Sequence, residues 1–448
     1  MADVLRYLSA ELDSGVPTSA GYGERETASA RRDTADSCCG WAKKMKVIVN
    51  RQALAKALAL TCSVVPTRTP KPVLACVRLS AAAAQPRGAG TLQCVSTDLE
   101  MTLETSLAQV DVQREGVALL PANKIAEIVN ASPDETLTID VHGDKATIKG
   151  SDSTSTLLGF AVEEFPPING FDGAADLTMP AALLKVMLDR TRFAAAKEMT
   201  RYAMNGVLFE RKGKKLSLVA TDGHRLALAR DEVETGESKD ISAIVPIKAI
   251  GMLERLLEDP EQTIKLQFRE NKLYVQVLTG GEKTNSERAP GVPGQGGTSK
   301  NEGFVAALLS TALVEGSFPP YQDVIPKDCD HKVSVNRTRF QSAVSRAAVL
   351  TSEESKAVCL GFAPKLLTVI GRAPEMGETK VEIPIDYGYE PLEIGFNSQY
   401  LLDALKAAPM EDVVFELRSP TKPGIIRSGN NFLYVVMPVN LGSGGAAV

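Results

Sequence analysis

The stretch MKVIVNRQALAKALALTCSVV, residues 45–65, reads as a short β run followed by a helix. Asn50 stands between the two and is a good N-cap, because its side-chain oxygen can accept from the free N–H groups of a first helical turn. The same opening returns as VSVNRTRFQSAVSRAAVL at 333–350, with Val-Asn-Arg kept. A looser copy, LTMPAALLKVMLDRTRFAA, lies at 177–195, with Pro180 near the first helical turn, where its missing N–H costs little.

A second unit also recurs. ALLPANKIAEIVNASPDETLTIDV (118–141), AIVPIKAIGMLERLLEDPEQTIKLQF (243–268) and IGFNSQYLLDALKAAPMEDVVFEL (394–417) share one layout. Each is a β-like entry, a helix, a turn with proline and acid (Pro133, Pro260, Pro409), then a strand. Alternation in TLTIDV and KLYVQV marks antiparallel sheet with one wet face. VEEFPPI (162–168) and VEGSFPPY (314–321) rhyme as domain ends. The repeats predict an α+β architecture of three similar domains at 45–170, 174–327 and 330–445. Each domain has two β-rich halves with one inner helix apiece.

Two segments fall outside this scheme. Residues 1–44 are rich in Ser, Ala, Gly and charge without a sustained period, and read as a disordered N-terminal extension. Residues 279–303, TGGEKTNSERAPGVPGQGGTSKNEG, interrupt the second domain and read as a flexible surface insert.

Composition sets bounds on function. A chain of 448 residues is too long for one core and suits about three domains. Apolar content of 44% and charged content of 23% are those of a soluble globular protein, and with aromatics at 5% the cores must be mostly Val, Leu, Ile and Ala. No apolar run is long enough to span a bilayer, and the first apolar patch is broken by Arg6 and Glu11, unlike a signal peptide. Seven scattered cysteines, Cys38 and Cys39 adjacent among them, suggest neither a disulfide framework nor a zinc site, so a reducing, cytoplasmic compartment is expected. A net charge of −5 argues against gripping nucleic acid over the whole surface, yet permits a local basic patch.

LVATDGHRLALAR (218–230) raises the question of an active site, with Asp222 orienting a His224 base. The repeats place VSTDLEMTL (95–103) opposite VATDGHRLAL, so the shared Thr-Asp suggests that Asp98 and Asp222 cap the turns that follow. His224 has no nucleophile motif beside it, and neither His142 nor His331 looks like its partner. No phosphate-cradling glycine motif follows a strand, which leaves no nucleotide site, and no cofactor is expected. Two readings stay open here: a turn histidine in a binding protein, or an enzyme of unknown type that would lose activity on His224→Ala.

The helices carry Arg51, Lys56, Lys124, Lys185, Arg190, Lys248, Arg255, Arg337, Arg339, Arg346 and Lys406. Singly these are ordinary solvated positions. If the repeats stand around an axis, equivalent helices face it together and give an acidic protein a positive channel for phosphates, without base reading.

The motifs MKVIVNRQAL, STDLEM, ATDGHRLA, EGSFPPYQDVIP, EIGFNSQYLLDAL and YVVMPVNL, in this order, carry a resemblance. Over about residues 45–441 the chain resembles the β subunit of bacterial DNA polymerase III, the sliding clamp. The resemblance implies a head-to-tail homodimeric ring that encircles double-stranded DNA and makes no bond itself. Its partners would be the DNA polymerase III α subunit, the clamp loader, other polymerases and repair proteins. A groove between the second and third domains, holding a short, partly apolar peptide, is implied at Arg201, Met204, Thr221, Gly223, His224, Arg225, Leu226, Pro319, Val324, Tyr387, Val435, Met437 and Pro438, with His224 and Arg225 as polar handles at its rim. DNA contact is implied at Arg68 and Lys197, beside the helix positions Arg51, Lys124, Lys185, Lys248 and Arg337; Glu198 departs from that pattern, since an acid there repels phosphate. A dimer face is implied at Val349 and Leu350, meeting Leu157 of the other copy. SDSTST around Leu157 lacks the basic residues often seen there. A diverged paralogue serving a specialised polymerase would keep the same ring.

Overall fold

The computed structural model describes residues 44–84, 88–197, 203–235, 240–280, 304–352 and 356–440. Apart from Lys44, Thr279 and Gly280, the expected extension at 1–44 and insert at 279–303 lie outside these residues.

The elements repeat in three blocks. The first runs β1 (Met45–Asn50), α1 (Arg51–Cys62), β2 (Cys76–Ala84), β3 (Gly88–Thr97), β4 (Met101–Arg114), β5 (Gly116–Pro121), α2 (Ala122–Ala131), β6 (Thr136–His142), β7 (Lys145–Lys149) and β8 (Thr154–Leu158). The second runs β9 (Leu177–Pro180), α3 (Ala181–Asp189), β10 (Gly206–Lys212), β11 (Lys215–Thr221), β12 (Arg225–Glu232), β13 (Glu234–Thr235), β14 (Ile241–Pro246), α4 (Ile247–Leu256), β15 (Thr263–Arg269), β16 (Lys272–Thr279) and β17 (Phe304–Ala312). A connecting segment with the one-turn α5 (Tyr321–Val324) leads to the third: β18 (His331–Asn336), α6 (Arg337–Ala348), β19 (Ala357–Ala363), β20 (Leu366–Ala373), β21 (Gly377–Pro384), β22 (Leu392–Asn397), α7 (Ser398–Ala407), β23 (Asp412–Leu417), β24 (Gly424–Ser428) and β25 (Phe432–Val436).

Local chemistry explains the repetition. Asn50 Oδ1 accepts from Ala53 N–H at 3.0 Å and Asn336 Oδ1 from Arg339 N–H at 3.1 Å, so both expected caps form. The helices α2, α3 and α4 instead follow Pro121, Pro180 and Pro246, whose fixed φ leads the chain into the helix without a capping side chain. The first helical residue of each block ties back to the turn beyond the companion helix. Arg51, Ala181 and Arg337 donate their backbone N–H to the carbonyls of Glu135, Gln262 and Glu411, at 2.9, 2.9 and 2.8 Å. The helix pairs α1/α2, α3/α4 and α6/α7 therefore sit side by side in each block.

The sheets run on from block to block. β4 pairs antiparallel with β17, from Met101↔Thr311 to Thr105↔Ala307, and β12 pairs with β25, from Arg225↔Val436 to Ala229↔Phe432. One apolar core fills the first block around Leu54, Leu58, Leu79 and Ile125. A second core runs unbroken through the other two blocks and takes in Val64, Met101 and Leu103 from the first. No described helix is long and apolar enough to cross a membrane. The described cysteines are free, and burial pushes the Cys76 thiol up to about 12, so it is a packing group rather than a reactive one.

Candidate partner-binding groove and joint surfaces

Both joints are built around a Thr-Asp turn. Asp98 Oδ1 accepts from the backbone N–H of Glu100 at 3.0 Å and of Met101 at 2.6 Å. Asp222 Oδ1 does the same for His224 and Arg225, each at 3.0 Å. Both aspartates cap their turns as the repeats predict. The other oxygen of Asp222 accepts from Arg225 Nε at 3.0 Å. Asp222 spends its bonds on the turn and on Arg225 and makes none to the exposed His224 imidazole, so the enzyme reading loses its base and orienter pair.

Asp98 also receives Lys248 Nζ from α4 across the first joint. Asp98→Ala removes the acceptor of two backbone N–H groups and the partner of that lysine. It is expected to cost about 1–2 kcal/mol, read as a lowered Tm with unchanged partner binding.

Arg225 differs from the rim handle expected of it. Its side chain is only 10% exposed, and besides Asp222 it donates to Asp403 Oδ2 on α7 at 2.6 Å and to the Phe193 carbonyl at 2.7 Å. The guanidinium also lies 4.4 Å from the Tyr400 ring centroid. Burial opposes its charge, but Tyr434, Asp403 and Asp222 outweigh burial and hold its pKa above the ordinary arginine range. It is a strut between blocks, and the reason is its acceptors: two carboxylates and a carbonyl converge on it.

The two joints differ on their outer faces. At the second, Leu226 pairs with Val435 and Leu228 with Leu433. At the first, the same places hold Thr102 with Ser310 and Glu104 with Leu308. Glu104 there accepts from Gln93 Nε2 at 2.8 Å, and burial raises its pKa against the pull of Arg78. Among the described residues the apolar floor crosses the joined strands at the second joint alone; the matching cluster of the first block, Val73, Cys76, Val95, Leu119 and Phe165, stops short of them. Ala203, Leu208, Val219, Ile244, Tyr321 and Ile425 extend the floor at the second joint, with Phe318 and Ile325 of the connecting segment packed alongside.

The groove positions expected from sequence gather around this floor in part. Leu226 and Val435 are buried in it, and Thr221 is buried with its hydroxyl donating to the Arg225 carbonyl at 2.7 Å. Met437 N–H donates to the His224 carbonyl at 2.9 Å, which brings the turn and the chain after β25 together. Val324 and Met437 are 45% and 38% exposed, Pro319, Pro438 and Met204 half-buried. Pro319 also rims a hollow of about 720 Å³ beside β14. Gly223 has φ +89°, a conformation that strains any side chain; Leu99 bears that strain at φ +80° in the matching turn of the first joint.

Tyr387 needs correction as a groove wall. It is buried, its hydroxyl donating to the Glu390 carbonyl at 2.8 Å and lying 3.0 Å from His331 Nδ1. The exposed ring of that loop is Tyr389, stacked on His331 at 4.8 Å. Arg201 and Glu198 lie outside the described residues.

The expected DNA-facing cations divide into two kinds. Arg68 and Lys197 are exposed. Arg51 Nε donates to the Asp134 carbonyl at 2.9 Å and Arg337 Nη1 to the Leu405 carbonyl at 3.4 Å, so each braces its helix pair against carbonyls near the companion helix's C-terminal end. Lys248 spans the first joint, Lys124 bonds Glu127 at 2.8 Å on an exposed face, and Lys185 is half-buried. At the expected dimer face Val349 is 75% exposed and Leu350 half-buried. Leu157 packs half-buried on the first core, and the alternation of β8 turns its neighbour Leu158 outward.

Sequence reasoning missed Asp403, Tyr400, Phe193 and Tyr434 around Arg225. The one signal for them is the Tyr400/Asp403 spacing, which puts both on one face of a helix.

Three repeated α+β domains joined by shared sheets, with an apolar groove at one joint, describe a scaffold that binds partners rather than a catalyst with a reactive centre. Comparison with known proteins agrees. Family models for the N-terminal, central and C-terminal domains of the DNA polymerase III beta subunit match residues 45–169, 178–286 and 322–440. The beta sliding clamp of Pseudomonas aeruginosa is 31% identical over 400 residues, 89% of this chain and 100% of the relative; that of Caulobacter vibrioides is 31% identical over 407 residues, with the same coverage. The crystal structure of a Pseudomonas aeruginosa sliding clamp bound to griselimycin matches with TM-score 0.76 at 30% identity, covering 89% of this chain and 100% of that one. The chain belongs to the DNA polymerase III beta subunit family, the bacterial beta sliding clamps. It is a processivity factor, a clamp and docking hub, and not a catalyst.

Proposed function

We propose that two copies of this chain close head to tail around duplex DNA in the bacterial cytoplasm, and that the groove at the second joint tethers the replicative polymerase. The clamp loader, other polymerases and repair proteins would dock in the same groove. Domain limits near 170 and 330 go with this reading. The carrying observation is a third joint left unmade within the chain. By order in its block, β21 is the counterpart of β4 and β12, and β8 is the counterpart of β17 and β25. Among the described residues β21 pairs only with β20, and β8 only with β7. Free edges of this kind seek a partner strand.

The side chains support the same reading. Val349 stands as far after its N-cap position as Ser63 and Phe193 stand after theirs. At the made joints Ser63 Oγ lies 3.9 Å from Met252 Sδ, and the Phe193 ring centroid lies 5.9 Å from that of Tyr434. Val349 has no such cover. Leu158, 62% exposed, together with Leu157 would meet it from the other copy.

A closed ring holds DNA by topology, so the duplex slides while the tethered polymerase rebinds the primer end faster than it diffuses away. Retention of labelled protein on nicked circular DNA, after loading with clamp loader and ATP, tests this. Release only on linearising the circle supports the ring, and equal retention on both forms refutes it.

Phosphate contact in the channel rests on exposed cations. Arg68→Ala with Lys197→Ala is expected to weaken binding evenly across sequences and to lower the slope of log affinity against log salt by about one per residue. Arg51→Ala, which removes a brace, is expected to lower Tm more than it alters that slope.

A further inference from the structure

We propose that Arg225 is a positioning residue of the groove rather than a contact within it, and that Asp403 on α7 is the partner through which it holds the groove wall in place. This rests on the groove reading above. The exposed wall is the short turn Asp222-Gly223-His224, and a turn containing a glycine at φ +89° does not fix itself. Asp222 Oδ1 orders its backbone by accepting from two N–H groups. Asp222 is in turn held at Oδ2 by Arg225 Nε. Arg225 is held by Asp403 and the Phe193 carbonyl, and Asp403 by Gln399 Nε2 at 2.7 Å. The chain of bonds runs from α7 of the third domain to the groove's edge in the second. The His224 carbonyl then receives Met437 N–H, so the opposite wall is registered to the same turn.

The first joint is an internal control. Met101 occupies the position of Arg225 there, directly after the turn and at the start of the strand that makes the joint. The joint forms without an arginine, so joining domains does not require one. What the first joint lacks is apolar cover on the two joined strands: Thr102 and Ser310 stand where Leu226 and Val435 stand. At the first joint the turn is tied across by an exposed lysine, Lys248 to Asp98; among the described residues the buried strut with three acceptors occurs at the joint that carries the groove. Lysine cannot replace it, because Nε, Nη1 and Nη2 reach three separate acceptors.

The test uses the full chain, immobilised, and the DNA polymerase III α subunit as the probe, read by surface plasmon resonance. Asp403 is the residue to change. Asp403→Asn is expected to weaken the probe about tenfold, as one charge-assisted bond is lost and the wall loosens. Asp403→Glu is expected to recover most of that loss. Arg225→Lys with Asp403→Asn is expected to bind no worse than Arg225→Lys alone, since both cut one chain of bonds. Dimer mass and Tm are expected to stay unchanged in Asp403→Asn. Probe binding within twofold of the unchanged protein in Asp403→Asn, with a large loss in Arg225→Lys, overturns the proposal and makes Arg225 a contact. A loss of probe binding that comes with loss of the dimer means general damage and also overturns it. If the unchanged protein does not bind the probe, the groove reading itself falls, and this proposal with it.

Discussion

Val349→Asp is expected to leave the chain monomeric at concentrations where the unchanged protein is a dimer. Val349 is 75% exposed, so the change disturbs no packing within one chain. In the ring it would lie against the first domain of the other copy, as Phe193 lies against Tyr434. Burying a valine contributes about 1.5–3 kcal/mol. A head-to-tail ring of two copies has two identical interfaces, and dissociation opens both. The substitution therefore counts twice, about 3–6 kcal/mol, or roughly 100- to 20,000-fold in the dissociation constant. Sedimentation velocity over a concentration series reads this directly, with Tm as the control. A variant that stays dimeric at the lowest concentrations would place the interface elsewhere.

Val324→Asp with Met437→Asp is expected to abolish polymerase tethering while the ring still closes. Both side chains are partly exposed beside a floor of buried Leu226 and Val435. A partner segment covering them would bury two unpaired carboxylates, at about 2 kcal/mol or more each. Binding should fall by at least about a hundredfold. Processive synthesis on a primed circular template should drop to the clamp-free level, with the dimer mass intact, because loader and polymerase share the groove. Full stimulation by this variant would exclude the groove at the second joint.

Much of the fold could be read from sequence because it is written more than once. Asn50 and Asn336 mark the same cap, and Pro133, Pro260 and Pro409 the same turn. The role of Asp222 was legible for the same reason, since Asp98 repeats it without any histidine. Repetition is silent on what occurs once. The main partner of Arg225 is Asp403, 178 residues further on, and no local pattern reports such a contact. Arg51 and Arg337 look like channel cations because helical spacing gives a face but not the target of a long, bendable side chain. In β8 one step of strand register decides which leucine faces outward, Leu157 or Leu158. In the loop before β22, Tyr387 and Tyr389 stand two residues apart, and no local pattern tells that the first is buried and the second exposed.

The unmade joint has a consequence beyond pairing. Its two surfaces are different, β21 on one end and β8 on the other, so in the proposed ring copies would add like links rather than like mirror-matched halves. Such a chain of links either meets its own tail or spirals past it. Which outcome holds depends on the summed rotation at all the joints, including the two inside each copy. A few degrees lost at an internal joint would turn a closed circle into an open filament, although every link remained sound.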